Sequence, residues 1–495
     1  MARNNLRVDG ICVEACEGDL VDTAGLAIVM RFMAKTGFFK QCDNQLPVSV
    51  SNSAYPPSTY MKTLFALCIL YPDSRAPLDR INDIRQSRAL RRILGVKEIP
   101  TAKSVGDWLR RMANREVGMS ADNEPQYGGY KHGLKQMQGL HCELAGKALI
   151  EMKRVVSNML DFDACAIIGS KKCDVRMYTG ESGTMSYLAF IDSICLMAEL
   201  EPGNHSPADS IDKRVASCIG ICRQQGIEIL QFRSDSAAYV AEVVNECNRQ
   251  SITFYIRADN DSGVKSVYGT VDKWRKPNID RENAAPIPPK SKPAAYELGT
   301  TLHCMNKTEK SFTLVAKREL VKKDPSKESG QCELKDLENT DYKYFSVATN
   351  EVVDDEAVTP EMIVATYNKR GNMENRIKQL VSDTQAGRLP TSDLDANRIY
   401  FYAMACLHNL IELFKHKCLD IRFWKLRLPT LIRIMLRVPA VVVLHARRLY
   451  LRLPVYKKEI ASAYEEVLKK ISAFNTIFSK NEKQLPFAEI VFRRE

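Results

Sequence analysis

At Asn158 the hydrophobic rhythm of the chain changes, and this change limits the fold more than any other feature. Leu160-Asp161-Phe162-Asp163-Ala164-Cys165-Ala166-Ile167-Ile168 opens with the apolar–polar alternation of a strand. Residues 187–200 supply one or two further strands, and Pro202-Gly203-Asn204 is a turn. A helix over 210–225, a strand over 228–234, a helix over 237–250 and a strand over 252–257 follow. The order β, β, β, α, β, α, β predicts an α/β domain with a mixed sheet. A chain of 495 residues buries such a core without disulfide or metal staples.

The segment before this point reads as helical. Residues 23–39 form an amphipathic run, 61–70 are apolar, and 78–94 carry apolar residues at helical spacing until Gly95 ends the helix. A last helix starts at the N-cap Thr101. It sets Val105, Trp108, Leu109 and Met112 on one face and Lys103, Arg110, Arg111 and Arg115 on the other. A basic terminal helix suits a helix-turn-helix DNA reader, and equally a solvated charged face. Residues 116–137, with Pro125 and Gly128-Gly129, read as a loop or linker, and a helix over 142–157 follows.

Past the α/β pattern, residues 261–350 read as a β-rich insertion. The five prolines of 276–293 and the charged, turn-rich stretch 322–339 separate strand-like segments at 296–302, 311–317 and 342–349. Helices resume at 360–380, 396–417 and 456–478. The expected division is a helical N-terminal region over 1–137, an α/β core over 138–260 and 351–420, the insertion over 261–350, and a basic helical C-terminal region over 421–495.

Charge narrows the partner. The chain nets +11, and residues 415–458 alone hold 12 Lys or Arg against one acid, Asp420. That segment, interleaved with Phe423, Trp424 and Tyr450, fits a phosphate-bearing partner. Arg447, Arg448 and Arg452 are its expected DNA contacts, with His445 part of the same surface. No apolar run nears the ~18 residues of a spanning helix, and no apolar leader opens the sequence, so no membrane role is expected. The 15 cysteines are scattered and odd in number. Several, such as Cys68 and Cys195, lie in apolar runs as small buried hydrophobes, the reduced state of an intracellular protein. The close pairs Cys12/Cys16 and Cys218/Cys222 lack a second pair at zinc-site spacing.

Four carboxylates, Asp161, Asp163, Asp235 and Glu374, are the candidates for chemistry. Asp161 and Asp163 share one face of the first strand. Asp235 lies just past a later strand, at the carboxyl edge where open α/β sheets place their sites. Tyr367, Arg370, Glu374 and Lys378 form one stripe of a helix. Carboxylates gathered in this way repel unless a cation lies between them, and hard oxygen ligands favour Mg²⁺ or Mn²⁺. Two such ions activate water and stabilise the leaving oxygen in phosphodiester displacement, with Arg370 and Lys378 available to phosphates. The same residues taken singly are common as caps, turn residues and exposed helix ion pairs.

These stretches resemble the DDE transposases of bacterial insertion sequences, in the branch with a group 1 DDE domain and a Y-x2-R-x3-E-x6-K signature. The likeness lies in Leu160-Asp-Phe-Asp-Ala-Cys165, Glu201-Pro-Gly-Asn-His205, Arg233-Ser-Asp-Ser-Ala-Ala-Tyr239, Tyr367-Asn-Lys-Arg-Gly-Asn-Met-Glu-Asn-Arg-Ile-Lys378 and the tail over 428–453. It spans about residues 20–455 and is most specific around Asp235 and Glu374. It implies a ribonuclease-H-like catalytic core with the β-rich insertion lying in the 139-residue separation of Asp235 from Glu374. It also implies that Asp163, Asp235 and Glu374 are the catalytic residues and the ligands of two Mg²⁺ (or Mn²⁺) ions.

By the same resemblance, Tyr367 and Arg370 contact DNA near the cleaved phosphate. The partners implied are double-stranded DNA, as inverted-repeat ends and as target, and a second copy of the chain in a homodimer. The place implied is the bacterial cytoplasm, at the nucleoid. Asp163 is preferred to Asp161 as first ligand because it precedes the small Ala164-Cys165 pair. The last signature position is Val381 instead of Lys, which leaves Lys378 as the nearest cation. A catalytically inactive DNA-binding derivative and a general metal-dependent nuclease remain alternatives. Trp274 is read either as a base-stacking residue or as packing for a small β core, and Asp259 as a turn residue.

Overall fold

The computed structural model describes residues 6–8, 11–13, 18–48, 54–74, 76–113, 116–119, 125–127, 132–156, 158–277, 296–320, 342–354, 356–446, 448–478 and 490–491. Most of the proline-rich stretch 276–293, the charged stretch 322–339, Gly128-Gly129 and Arg447 lie outside the described residues. Two compact units divide the chain: one of Ala145–Lys378, the other of Met1–Leu144 with Gln379–Glu495.

The first unit holds the strand pattern that begins at Asn158. Its elements, numbered from that point, are β1 (Asn158–Ile168), β2 (Val175–Arg176), β3 (Ser182–Ile191), β4 (Ile194–Pro202), α1 (Ile211–Gln224), β5 (Ile229–Ser234), α2 (Ala241–Arg249), β6 (Thr253–Arg257), β7 (Tyr296–His303), β8 (Phe312–Leu320), β9 (Tyr342–Thr349), α3 (Pro360–Asn368) and α4 (Gly371–Lys378). The described strands form one sheet in the order β7-β8-β9-β6-β5-β1-β3-β2, with β4 paired to β3.

Direction within the sheet follows from the connections. β1 and β3 are antiparallel, as are β3 and β4 across the two-residue turn Asp192-Ser193. β5 runs parallel to both β1 and β6, because α1 and α2 serve as crossovers. Ile211, Val215, Cys218, Ile219 and Cys222 make one buried stripe on α1, so the Cys218/Cys222 pair is helix-face packing.

The three insertion strands do not stand apart from this sheet. β9 pairs antiparallel with β6 and continues the sheet through β8 to β7. Without β9, β6 would be an open edge with unpaired backbone groups. Trp274 sits against Tyr344, at 5.9 Å between ring centroids, and beneath the Arg318 guanidinium at 4.3 Å. Tyr255, Leu298, Val315, Val347, Ile363, Val364 and Tyr367 form a core between the sheet and α3.

The helix expected over 360–380 is broken. α3 ends at Asn368, the Arg370 amide donates to the Tyr367 carbonyl in a turn, and α4 starts at Gly371. Gly371, a poor helix former, stands at the break.

In the second unit, helices Leu26–Lys35, Phe38–Gln45, Pro57–Leu70, Ala102–Met112 and Leu394–Cys418 are mostly or wholly apolar on their inner faces. Thr101 caps its helix through Ser104, and Trp108 stacks on Tyr60 at 4.8 Å. Gly95 ends the preceding helix with φ 63°, as its position suggests. The helix Leu394–Cys418, which the sequence division places in the core region, belongs to this unit. The stretch 421–495, expected to be helical, also contains the antiparallel strands Ala440–His445 and Arg448–Arg452. A β-branched run, Val441-Val442-Val443, favours that outcome. Among the described residues no helix is long and apolar enough to cross a membrane.

Candidate functional site

Strand register brings the first two carboxylates together. Arg233 of β5 lies beside Asp161 of β1, and Ser234 beside Phe162. One residue further, Asp235 leaves the end of β5 next to Asp163. The Asp163 side chain is about 10% exposed and that of Asp235 34%. Asp235 also accepts from the Ala237 amide at 3.1 Å, so it caps the turn after β5 while keeping an oxygen toward its neighbour. Glu374 lies exposed on the first turn of α4, whose buried Met373 and Ile377 face inward.

A single guanidinium joins the pair. Arg370, in the break between α3 and α4, places Nη2 2.7 Å from Asp163 Oδ2 and 3.7 Å from Asp235 Oδ2. The Arg370 Nε–H is buried without a hydrogen-bond partner. Burial pushes the Asp163 carboxyl up to about 7, with Arg370 pulling it down and the charges of Asp235 and Glu374 raising it. Glu374 thus stands close enough to Asp163 for its charge to be felt.

Asp161 is the alternative first ligand, and its surroundings differ sharply. It accepts from Arg233 Nε at 2.6 Å and Nη2 at 2.9 Å, and from Arg376 Nη1 at 2.7 Å. Its oxygens are therefore already held by two guanidinium groups, whereas Asp163 is held by one.

The residues proposed from sequence fall in different settings. Tyr367 is mostly buried, packed on Phe345 at 5.6 Å, and burial raises its hydroxyl pKa. Lys378 is exposed at the end of α4. Val381 is partly buried in the other unit, within the wide helical segment Gln379–Asp383. Arg448 and Arg452 are exposed on the hairpin strand Arg448–Arg452, and Arg447 is outside the described residues.

Not every cation of the basic segment faces solvent. Lys415 is buried against Glu412 at 2.5 Å and donates to the Leu426 carbonyl, and Arg427 pairs with the buried Asp383. Sequence reasoning passed over Arg257, an exposed cation at the carboxyl end of β6, 5.5 Å from the Phe345 ring on which Tyr367 packs. Its place at the end of the strand beside β5 was the available signal.

The donor set of Asp163, Asp235 and Glu374 consists of hard carboxylate oxygens, the chemistry of a Mg²⁺ or Mn²⁺ site. Among the described residues no three acid, His or Cys side chains converge on one ion position as they stand. Arg370 holds the place between the two aspartates where such a cation fits. The residues thus suit divalent cations, with the guanidinium acting as a stand-in.

Nearly the whole chain carries the family assignment. The model for transposase DDE domain group 1 matches residues 8–475, and the chain belongs to that family. It is therefore a transposase, an enzyme of the general class that cleaves and transfers DNA, and its family typically uses divalent metal ions. No curated protein matches the chain. Among solved structures it is similar to a piggyBac transposase synaptic complex with hairpin DNA, with 10% identity and a TM-score of 0.40, covering 92% of this chain and 82% of that one.

Proposed function

We propose that the protein is a DDE transposase of the bacterial insertion-sequence type, of the Y-R-E-K branch. It cleaves DNA strands at the inverted-repeat ends of its own element and joins them to target DNA. The observation that carries this reading is the Asp163–Arg370–Asp235 bridge within reach of the Glu374 charge. Asp163, Asp235 and Glu374 are the residues that would hold two Mg²⁺ or Mn²⁺ ions. Bound there, divalent ions supply an activated water and neutralise the leaving oxygen of an in-line displacement. Arg370 turns its unsatisfied Nε–H and its other donors to the scissile phosphate, for which a planar fork is suited. Lys378 offers a further cation one turn beyond Glu374, and Tyr367 contacts DNA beside Arg370.

A ribonuclease-H-like core is supported by the antiparallel β1–β3–β4 edge, the parallel β1–β5–β6 strands and the insertion between Asp235 and Glu374. In this reading residues 1–137 help to recognise the ends, the unit of Ala145–Lys378 is the catalytic region, and 421–495 grip DNA. A homodimer aligns two ends for joining.

The deciding experiment uses the element's own terminal repeats, read from the DNA flanking the gene. Wild-type protein with Mg²⁺ nicks labelled ends and transfers them to a second duplex; Asp235→Ala does neither. Equal cutting of unrelated DNA without joining would instead mark a general nuclease, and binding without cutting an inactive derivative.

Neutralising Arg447, Arg448 and Arg452 together is expected to weaken DNA binding across sequences. The slope of log affinity against log salt should fall by roughly 3, since each phosphate contact contributes about 0.9. An unchanged slope in a salt titration would remove this segment from the DNA path.

A further inference from the structure

Each carboxylate of the site has a charged neighbour two positions away that belongs to a second, buried cluster. Asp161 precedes Asp163 on β1, Arg233 precedes Asp235, and Arg376 follows Glu374 on α4. These three neighbours meet. Asp161, with its side chain 3% exposed, accepts both forks of Arg233 and one nitrogen of Arg376. Arg233 also donates through Nη1 to the Thr366 carbonyl of α3 at 2.5 Å. Arg376 reaches Asp192 in the β3–β4 turn at 3.5 Å, and Asp192 in turn binds Arg154 at 2.9 Å.

We infer that Asp161, Arg233 and Arg376 form a positioning clamp that fixes Glu374 relative to Asp163 and Asp235. The clamp ties β1 and β5 to both sides of the break between α3 and α4. Thr366 anchors the end of α3 and Arg376 anchors α4, so the clamp sets the angle of the short helix that carries Glu374. An eight-residue helix held by only two buried apolar residues needs such a tether. Burying two guanidiniums on one carboxylate stabilises little in itself, and such networks serve to select one geometry. None of the three touches the reacting atoms; they act through Glu374.

This inference rests on the reading of Asp163, Asp235 and Glu374 as the metal-binding set. Its test is the affinity of the full-length, DNA-free protein for Mn²⁺, measured by the electron paramagnetic resonance of the free ion. Arg376→Met leaves Asp161 still paired with Arg233, so the fold and the affinity for end DNA are retained. Mn²⁺ affinity is expected to drop 10- to 100-fold, the usual effect of losing a supporting contact behind metal ligands. Cleavage at saturating DNA falls by a similar factor, while the DNA concentration giving half-maximal rate stays put. Arg376→Lys, which keeps the charge and one contact, recovers part of both losses.

Wild-type Mn²⁺ affinity in the Met variant overturns the clamp. If the Met variant does not fold, Arg376→Gln takes its place, and wild-type Mn²⁺ affinity there overturns the clamp. Mn²⁺ affinity that stays at the wild-type value in both Asp163→Asn and Asp235→Asn overturns the reading of the site itself, and the clamp with it.

Discussion

Asp163→Asn is expected to yield a protein that melts higher than wild type at pH 8 without divalent ions and cleaves DNA at least about 10³-fold more slowly. The stability gain follows from the sign of the Asp163 shift. Its carboxyl is pushed up from the ordinary aspartate range to about 7, first by burial. The folded protein therefore binds this proton more tightly than the unfolded chain does. Stability falls as pH rises from about 4 to about 7 and levels off above, where the buried charge costs on the order of 4 kcal/mol. Asn has the same shape and no charge, so it relieves that cost.

The gain should shrink as pH falls and vanish below about pH 3, where Asp163 is protonated in both states. Adding Mg²⁺ at pH 8 should raise the wild-type melting temperature and leave that of Asp163→Asn unmoved. Thermal melts across pH, with and without Mg²⁺, check all three points. A variant that melts lower than wild type at pH 8 would show that Arg370 outweighs burial at this position.

The sequence carried the strands of the site well and its geometry less well. Alternation marks β1, and its two aspartates are visible at once. Which of them is locked between two guanidinium groups is not a local property. Asp161 is occupied by Arg233 and Arg376, which lie 72 and 215 residues away in the chain. Only the pairing of β1 with β5 and the packing of α4 against β1, which no periodicity encodes, bring those partners in.

The helix stripe Tyr367, Arg370, Glu374, Lys378 was legible as spacing. The break at Arg370 was not, because an isolated Gly371 is tolerated in many helices. That break frees Arg370 to reach Asp163 and leaves Tyr367 in the core. The insertion strands were visible as β-branched and aromatic runs, yet their continuation of the main sheet depends on a partner edge, β6, far away in sequence. The basic tail was visible as charge, but Lys415 is turned inward by Glu412 and the exposed Arg427 is neutralised by the buried Asp383, and both acids lie outside the segment.

Arg370→Gln gives the complementary result: metal affinity rises while catalysis falls. Its guanidinium is the cation that neutralises Asp163 and approaches Asp235. Removing one partner of a largely buried pair costs about 3–5 kcal/mol when the other must stay charged. Asp163 has an escape, since with its pKa already near 7 it takes up a proton. The loss in melting temperature should therefore be modest at pH 8, where protonation limits the cost to about 1.4 kcal/mol, and close to nothing at pH 5.5, where wild-type Asp163 is mostly protonated and the guanidinium has little charge to offset.

The same deletion clears the space between the two aspartates, so Mn²⁺ binds more tightly to Arg370→Gln than to wild type at pH 8. Cleavage drops even so, by about 10²-fold, because the donor fork for the phosphate is gone. The double variant Asp163→Asn/Arg370→Gln separates the two contributions. With no charge at position 163, losing the guanidinium should cost little stability, so the two single effects are strongly non-additive. Additive melting shifts in that cycle would mean that Arg370 stabilises the fold through contacts other than Asp163. Tighter Mn²⁺ binding with slower cleavage, found together, would show one side chain exchanging a carboxylate partner for a phosphate.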